Sequence, residues 1–234
     1  MIQVRRSEDR GTAERGWLKA KHTFSFSDYY DPEHMGFSVL RVINEDRIKG
    51  GSGFGMHGHN DMEIITYIIS GELRHEDSMG NSAIIKPGEV QRMSAGTGVR
   101  HSEVNPHPEN ETHLLQIWIL PDTQSVEPGY EQKSYEQELA TGHPILVASK
   151  NGDQGSVRLH QDIKLYAARV KPSYEHDFSI QTDRHAWVQV VRGELEVNGE
   201  HKIKAGDGLM ASNENLLKIK SLSDSEYLFF DLPS

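Results

Sequence analysis

The chain of 234 residues contains no cysteine. This absence excludes disulfides, thiolate zinc sites, iron–sulfur clusters and cysteine nucleophiles, so any metal must bind to histidine, aspartate or glutamate. Long apolar runs are also absent, because no segment approaches the roughly 18 apolar residues that a membrane-spanning helix requires. The beginning of the chain is charged where a signal peptide would be apolar. We therefore expect a cytoplasmic protein rather than a membrane or secreted one.

Positive charge is scarce. The sequence has 25 Lys and Arg residues against 35 Asp and Glu residues, a formal net charge of −10. Binding to nucleic acid or to anionic lipid depends largely on clustered Lys and Arg, so we predict neither a nucleic-acid partner nor a membrane partner. Histidine is abundant, with 13 residues, of which eight precede residue 118. This asymmetry directs the search for a site to the first half of the chain.

Short apolar runs recur along the chain and are separated by Gly, Pro, Asn and Asp. The clearest are Ser38–Ile43, Glu63–Ile69, Leu114–Leu120, Ala186–Val191 and Glu226–Leu232. Such evenly spaced segments predict an all-β sandwich or barrel. Helical periodicity is scarce. The best helical candidate lies between Gln132 and Leu139, inside a polar stretch from about Pro121 to Gly142 for which we predict no strand and which we interpret as a linker.

An internal repeat indicates two halves. The string Ile69-Ser-Gly-Glu-Leu73 is matched by Val191-Arg-Gly-Glu-Leu195, and Ile85-Lys-Pro-Gly-Glu-Val90 is matched by Ile203-Lys-Ala-Gly-Asp-Gly208. The same order and similar spacing favour a duplication over chance. We therefore predict an N-terminal domain over residues 1–125, a linker over 126–142 and a C-terminal domain over 143–234.

Two motifs in the first half carry metal-binding chemistry. The motif His57-Gly-His59 leads into an apolar run, and side chains alternate in an extended strand, so both imidazoles can reach one ion from the same side. Further along, His101 and Glu103 share a face by the same parity. If the two segments are neighbouring strands, three nitrogens and one carboxylate converge. The alternative is that each histidine lies on a solvated face, but the joint pattern favours a metal site.

The other histidines and acids have weaker patterns. Asp61 and Glu63 either orient a ligand histidine or face solvent. Three histidines have no companion at ligand spacing and are expected to be structural or exposed, namely His75, His107 and His113. No HxE pattern follows Gly206, so we expect no metal in the second half. The histidines there are scattered, namely His160, His176, His185 and His201.

At these residues the chain resembles the cupin superfamily, whose first motif, G(X)5HXH(X)3–4E, is met by Gly51 through Glu63. It is most similar to the pirin family of bicupins. The segments that carry this resemblance are His22-Thr-Phe-Ser-Phe-Ser-Asp-Tyr-Tyr-Asp-Pro32, Met35-Gly-Phe, Leu40-Arg-Val-Ile-Asn44 and Met93-Ser-Ala-Gly-Thr-Gly-Val-Arg-His101-Ser-Glu103. The resemblance implies an all-β bicupin, with two β-barrel (jelly-roll) cupin domains in tandem and a metal in the N-terminal domain.

The resemblance also implies a ligand set. In pirins the ligands are the histidines of the HxH motif and the His and Glu of the HSE motif, which here are His57, His59, His101 and Glu103. Glu63, the first-motif Glu, is not a ligand in pirins. Two positions depart from the pattern: Gly58 stands where pirins usually have Pro, and Gly96 stands where the general second cupin motif has Pro.

Three imidazoles and one carboxylate suit a divalent transition metal ion. Iron is expected, with nickel, cobalt, manganese, copper or zinc as alternatives. If the ion is octahedral and Glu103 binds through one oxygen, two positions are left for substrate. An open site argues for chemistry, because structural metal sites are usually closed.

Several pirins are similar to quercetinases, which open flavonols with dioxygen and release carbon monoxide. The resemblance implies a quercetin 2,3-dioxygenase activity, with a flavonol and dioxygen as substrates and Glu103 as the base that receives the proton of the 3-hydroxyl group. Two alternatives stay open. One, from the resemblance to animal pirins, is a regulatory protein whose metal redox state controls binding to a protein partner; the other is a different cupin reaction, such as that of an isomerase or a lyase.

Overall fold

The computed structural model describes all 234 residues, and β-strands dominate it. The first twelve strands are β1 Ile2–Arg5, β2 Gly11–Glu14, β3 Leu18–His22, β4 Leu40–Ile48, β5 Gly53–His59, β6 Glu63–Ser70, β7 Leu73–Asp77, β8 Ser82–Ile85, β9 Glu89–Ser94, β10 Val99–Val104, β11 Thr112–Ile119 and β12 Gly129–Ser134. The others are β13 Ile145–Ser149, β14 Val157–Arg158, β15 Lys164–Val170, β16 Glu175–Ser179, β17 Arg184–Arg192, β18 Glu194–Val197, β19 His201–Lys204, β20 Gly208–Ser212, β21 Leu216–Ser221 and β22 Ser225–Pro233.

Helical structure is minor. The α-helix, α1, spans Glu136–Leu139, and short 3-10 helices cover Ser7–Asp9 and Asp153–Gly155. No helix has the length and apolar character needed to cross a membrane.

The chain divides into two compact units. The N-terminal unit comprises Gly11–Glu136 and Val157–Gln161, and the C-terminal unit comprises Met1–Arg10, Gln137–Ser156 and Asp162–Ser234.

The N-terminal unit is built from two antiparallel sheets. The large sheet has the strand order β12-β9-β6-β11-β4-β3-β2, and the small sheet has the order β5-β10-β7-β8. Strands of both sheets contribute to one buried apolar cluster, which contains Leu18, Ala20, Ile48, Ile68, Leu73, Ile85 and Leu114. Burial of these side chains holds the two sheets face to face.

The C-terminal unit repeats this topology. Its large sheet contains the order β1-β20-β17-β22-β15-β13, and its small sheet has the order β16-β21-β18-β19. The repeated glycines lie at equivalent turns, because Gly71 and Gly193 have φ of 78° and 77°, and Gly88 and Gly206 have φ of 84° and 87°. Residues other than glycine rarely adopt these φ values, which explains why both repeats have glycine at these turns.

The predicted domain boundaries differ from the compact units at three places. Val157–Gln161, predicted to lie in the C-terminal domain, belongs to the N-terminal unit. Met1–Arg10 belongs to the C-terminal unit, where β1 pairs with β20. The polar stretch that was interpreted as a linker without strands contains β12, which pairs with β9 along its whole length. That prediction was wrong because β12 lies at the edge of its sheet, where backbone pairing forms a strand without an alternating apolar pattern. Of the predicted helix, only α1 forms.

Candidate metal centre

Three histidines converge on the small sheet of the N-terminal unit. Strands β5 and β10 are neighbours, and their register pairs His57 with His101 and His59 with Val99. The Nε2 atom of His101 lies 3.0 Å from Nε2 of His57 and 3.0 Å from Nε2 of His59. The two motifs therefore lie on neighbouring strands, as convergence requires.

Not all of these contacts can be hydrogen bonds. A neutral imidazole carries one N–H, and His57 uses it to donate from Nδ1 to the carbonyl oxygen of Gly55 at 2.8 Å. Its Nε2 atom therefore presents a lone pair to the other rings. The Nδ1 atom of His101 is buried and has no partner. Three nitrogens at this spacing fit a divalent cation, because bonds of about 2.1 Å at right angles separate ligand nitrogens by about 3.0 Å.

The surroundings of His59 and His101 keep these two rings neutral. Burial, together with the neighbouring imidazoles, lowers the pKa of His59 to about 4 and that of His101 to about 3. A second positive ring at this distance is unfavourable, and a buried ring loses the hydration that its charged form needs. Neutral imidazoles offer the lone pairs that metal coordination uses.

Glu103 brings a carboxylate to the same region. Its side chain is buried, and one of its oxygens lies within 4.8 Å of ring nitrogens of both His101 and His75. The amide nitrogen of Gln116 donates to Glu103 Oε2 at 2.6 Å, and the hydroxyl of Thr66 donates to Oε1 at 3.3 Å. These donors fix the orientation of the carboxylate.

The groups that hold Glu103 belong to a polar row across the large sheet. Directly paired residues of an antiparallel sheet project to the same face. The row consists of His22, Asn44, Gln116, Thr66 and Gln91, on β3, β4, β11, β6 and β9. All five are buried. Nδ1 of His22 donates to Oδ1 of Asn44 at 2.8 Å, and the Gln91 amide donates to Nδ1 of His75 at 3.2 Å.

A cavity of about 180 Å³ opens onto the site. Its polar wall includes His57, His59, Glu103, Gln116, Asn44 and Asp46. Its apolar wall consists of Leu18, Ala20, Phe26, Phe54 and Trp118. Trp118 contacts the ring of His59 edge-on at 4.9 Å, and Phe26 contacts Trp118 edge-on at 5.3 Å. The cavity therefore combines an aromatic wall with a small set of hydrogen-bonding groups, which is typical of sites for small organic molecules.

The profile of the Pirin family matches residues 3–119, and a profile described as a quercetinase C-terminal cupin domain matches residues 146–232. The quercetin 2,3-dioxygenase of Escherichia coli is 47% identical over 233 residues, which cover 100% of this chain and 99% of that protein. The chain belongs to the pirin family.

Other pirins share its length and fold. The pirin-like protein of Caulobacter vibrioides is 37% identical over 232 residues, with 99% of each chain covered. The crystal structure of the E. coli pirin YhhW in complex with nickel(II) superposes with a TM-score of 0.95 at 46% identity, covering 100% of this chain and 99% of that one. The predicted family and the predicted all-β bicupin fold are confirmed. The donor set of this chain, beside a relative crystallised with nickel(II), supports a divalent metal site.

The pirin-type segment His22–Pro32 helps to build the wall of the cavity. Phe26 from this segment contacts Trp118, and the guanidinium of Arg41 donates to the carbonyl oxygens of Ser25 and Met35 at 2.9 Å each. The sequence marked the segment as part of the family pattern, but not as part of the site, because its position over the sheet depends on contacts with distant residues.

His75 was expected to be structural or exposed, and the structure places it at the site. It is fully buried, with its ring 5.3 Å from that of His101. Its Nε2 atom lies 2.9 Å from Oδ2 of Asp77, and its Nδ1 atom accepts from Gln91. Both nitrogens are therefore engaged, which suits a positioning role rather than metal binding. In the sequence, His75 could have been placed on the same face of a strand as Leu73 and Asp77, because the three residues alternate along it. That His75 lies opposite Glu103 is visible only in the pairing of β7 with β10.

Two acidic candidates do not reach the three histidines. Glu63 is buried, accepts from Ser94 Oγ at 2.9 Å, and lies 3.2 Å from Nδ1 of His160. It ties the segment Val157–Gln161 to the sheet. Asp61 accepts from the backbone N–H of Ser125 at 2.6 Å. Both residues have structural partners.

The two departures from the family pattern have local explanations. Gly58 has an ordinary extended φ, and a Cβ there would meet nothing closer than the carbonyl oxygen of Val99 at 3.7 Å. Gly96 has a φ of 46°, and a Cβ there would lie 2.0 Å from the carbonyl oxygen of Val126. Proline, whose φ is fixed near −65°, cannot adopt this conformation, so this pirin requires glycine at position 96.

Proposed function

We propose that the protein is a metal-dependent dioxygenase that opens a flavonol such as quercetin. In this proposal, His57, His59, His101 and Glu103 hold the metal ion. The observation that carries it is the convergence of three imidazoles, with Nε2 of His101 3.0 Å from Nε2 of His57 and of His59, beside a buried carboxylate in a cavity with an aromatic wall. The name of the E. coli relative, quercetin 2,3-dioxygenase, supports the choice of substrate.

A divalent transition metal ion bound here would supply positive charge that lowers the pKa of a coordinated hydroxyl group, and redox chemistry toward dioxygen. The residues of the chain would hold the ion, accept the proton and orient the substrate. Burial keeps the imidazoles of His59 and His101 neutral. All three imidazoles are held by their strands, so their lone pairs stay available without rearrangement.

Glu103 is the base of the proposed reaction. Its Oε2 atom accepts a short hydrogen bond from Gln116, whereas Oε1 has only the 3.3 Å contact with Thr66. Oε1 is therefore the atom better able to accept a proton. We assign it the proton of the flavonol 3-hydroxyl group, because removal of that proton makes the ring electron-rich enough to react with dioxygen.

The walls of the cavity orient the substrate. Trp118, Phe26 and Phe54 offer apolar surface for a planar ring and exclude water from the reacting carbons. The volume of about 180 Å³ lies below the roughly 300–1,000 Å³ of pockets that enclose a drug-sized ligand. It therefore fits the hydroxylated ring system of a flavonol, while the remaining ring extends outside.

The test is oxygen uptake and carbon monoxide release when protein loaded with iron, nickel, cobalt, manganese, copper or zinc meets quercetin. We expect one carbon monoxide per dioxygen consumed with at least one metal, and no turnover in His101→Ala, which loses the ion. Glu103→Gln should keep much of the metal and lower kcat/KM by about 100-fold or more, as loss of a general base does. Turnover without metal, or full activity in Glu103→Gln, would contradict the proposal.

The same assay separates the other hypotheses. A cupin isomerase or lyase adds no oxygen atoms to its product, so product masses distinguish it from a dioxygenase. A regulatory protein would bind metal stoichiometrically and show no turnover with any ion.

A further inference from the structure

Asp46 lines the cavity and has no partner within the protein. Only 3% of its surface is exposed, and its carboxyl group forms no hydrogen bond and no ion pair. Burial of a carboxyl group without a partner costs free energy. By contrast, the carboxylate of Glu103 in the same site accepts a hydrogen bond from Gln116.

The fold does not require an acid at this position. Asp46 lies on β4 opposite Leu114 of β11, and the corresponding pair in the C-terminal unit is Ala168 of β15 opposite Tyr227 of β22. Ala168 is fully buried in the same topology. A small apolar residue therefore satisfies the packing, which leaves the carboxyl group of Asp46 without a structural purpose.

Asn44 adds a donor beside this carboxyl group. It precedes Asp46 by two residues, so both side chains project from the same face of β4, and both line the cavity. The Oδ1 atom of Asn44 accepts from His22, whereas its amide nitrogen donates to no protein group. An acceptor and a donor on one face match a hydroxyl group, which both donates and accepts.

We infer that Asp46 is a specificity-determining residue that forms a hydrogen bond with a hydroxyl group of the substrate, with the amide of Asn44 donating to the same oxygen. This hydroxyl group is distinct from the one that reacts beside Glu103. The inference rests on the proposed function, because it takes the substrate to be a flavonol. It adds which residue distinguishes flavonols by the positions of their hydroxyl groups.

The experiment measures binding without oxygen, so that no turnover occurs. Nickel-loaded protein is titrated with quercetin, with fisetin, which lacks the 5-hydroxyl group, and with galangin, which lacks the two hydroxyl groups of the outer ring. In the wild type we expect fisetin to bind about 10- to 100-fold more weakly than quercetin, because the buried carboxyl group then has no partner. Galangin should bind within about threefold of quercetin, since the outer ring extends outside the cavity. In Asp46→Ala the three flavonols should bind within about threefold of one another.

Glu45→Ala is the matched control, because it removes the neighbouring carboxyl group from the other face of β4. Glu45 lies 2.8 Å from His113 rather than in the cavity, so this variant should keep the wild-type discrimination. A second readout is thermal unfolding of the metal-free protein. Asp46→Ala should raise the midpoint, since it removes an unpartnered buried carboxyl group, whereas loss of a structural residue would lower it.

The outcomes separate this inference from the proposed function. Equal binding of all three flavonols to the wild type, discrimination that persists in Asp46→Ala, or a lower unfolding midpoint of that variant would overturn the role of Asp46. A wild type that discriminates between the flavonols but releases no carbon monoxide would refute the proposed reaction, and it would leave the binding role of Asp46 standing.

Discussion

The two units of the chain use one topology for different interiors. In the N-terminal unit the polar row His22, Asn44, Gln116, Thr66 and Gln91 crosses the large sheet. The same register in the C-terminal unit runs through Leu146, Tyr166, Phe229, Val188 and Leu209. Every polar residue is therefore replaced by an aliphatic or aromatic one at the equivalent position.

The small sheets differ in the same way. Where β10 has His101 and Glu103, β21 has Leu217 and Ile219, by their pairing with β16 and β18. Where β5 has His57 and His59, β16 and the residue after it have Phe178 and Ile180. Phe178 stacks on Phe229 at 3.8 Å, so an aromatic pair fills the space that the other unit leaves as a cavity.

The contrast between the two interiors shows that the buried polar groups of the N-terminal unit depend on one another. Glu103 is held by Gln116 and Thr66, and His75 by Gln91 and Asp77. A buried polar group is tolerated when its partners are present and costly when they are absent. The polar groups of the site are therefore interdependent, and the C-terminal unit has a packed apolar core in place of the whole set.

The largest effect is expected when one residue is exchanged between the two units. Ile219→Glu places a carboxylate where no donor awaits it, and we expect a loss of about 3–5 kcal/mol in the free energy of unfolding. The reverse change, Glu103→Ile, leaves Gln116 and Thr66 without an acceptor and should cost only about 1–3 kcal/mol. Urea unfolding of the metal-free proteins measures both, with Ile219→Met as the control for volume. Equal losses would show that the polar row does not support Glu103.

Removal of one supporting group should weaken the site without destroying it. Gln116→Met keeps the volume but removes the 2.6 Å donor to Glu103 Oε2. We expect metal affinity to fall about 10- to 100-fold, with the metal content at saturation unchanged, as measured by competition with a chelator. The control is Gln161→Met, whose amide donates to the carbonyl oxygen of Leu120 instead. Wild-type affinity in Gln116→Met would mean that Glu103 needs no positioning.

The pH dependence of stability should separate a buried imidazole from an apolar residue. Burial lowers the pKa of His101 to about 3 from 6.5, so the unfolded chain takes up a proton first as pH falls. The contribution of neutral His101 to stability is complete above pH 6.5 and is lost progressively toward about pH 3. His101→Leu, which introduces the residue type of Leu217, should therefore flatten the fall in the unfolding midpoint of metal-free protein between pH 6.5 and 4.

The pH dependence of His101→Leu can be compared with that of a control variant. His201→Leu changes a partly exposed histidine of the C-terminal unit and should leave the slope between pH 6.5 and 4 as it is in the wild type. If the unfolding midpoints of the wild type and His101→Leu fall in parallel between pH 6.5 and 4, the imidazole of His101 is not held neutral.

The smallest effect concerns Gly58, for which the C-terminal unit has Ser179. The extended φ of Gly58 and the 3.7 Å clearance around its Cβ position leave room for a side chain. Gly58→Ala should stabilise the protein by about 0.4–1 kcal/mol by restricting the unfolded chain, and it should leave metal content unchanged. Gly53→Ala is the opposite case, because its Cβ would lie 2.2 Å from the carbonyl oxygen of Glu103. A destabilised Gly58→Ala variant would contradict the clearance.

Much of the fold and part of the site were predictable. The turn glycines and alternating apolar runs indicated a duplicated all-β chain, and the parity of His57 with His59 and of His101 with Glu103 indicated common faces. The strand β12 was missed because an edge strand needs no apolar periodicity. His75 and Asp46 were missed because each acquires its role from a residue on another strand.

The amino-acid sequence alone was enough to predict the apolar strands, the repeat and the pairs of donors within each motif, because these depend on local alternation and on turn geometry. Which strands are neighbours could be learned only from the three-dimensional structure. This arrangement brings Nε2 of His101 within 3.0 Å of both other imidazoles, places Gln116 beside Glu103, and leaves Asp46 facing a cavity without a partner. The physical reason is that cross-strand register joins residues far apart in sequence, and a polar side chain shows its role only when the groups around it are in place.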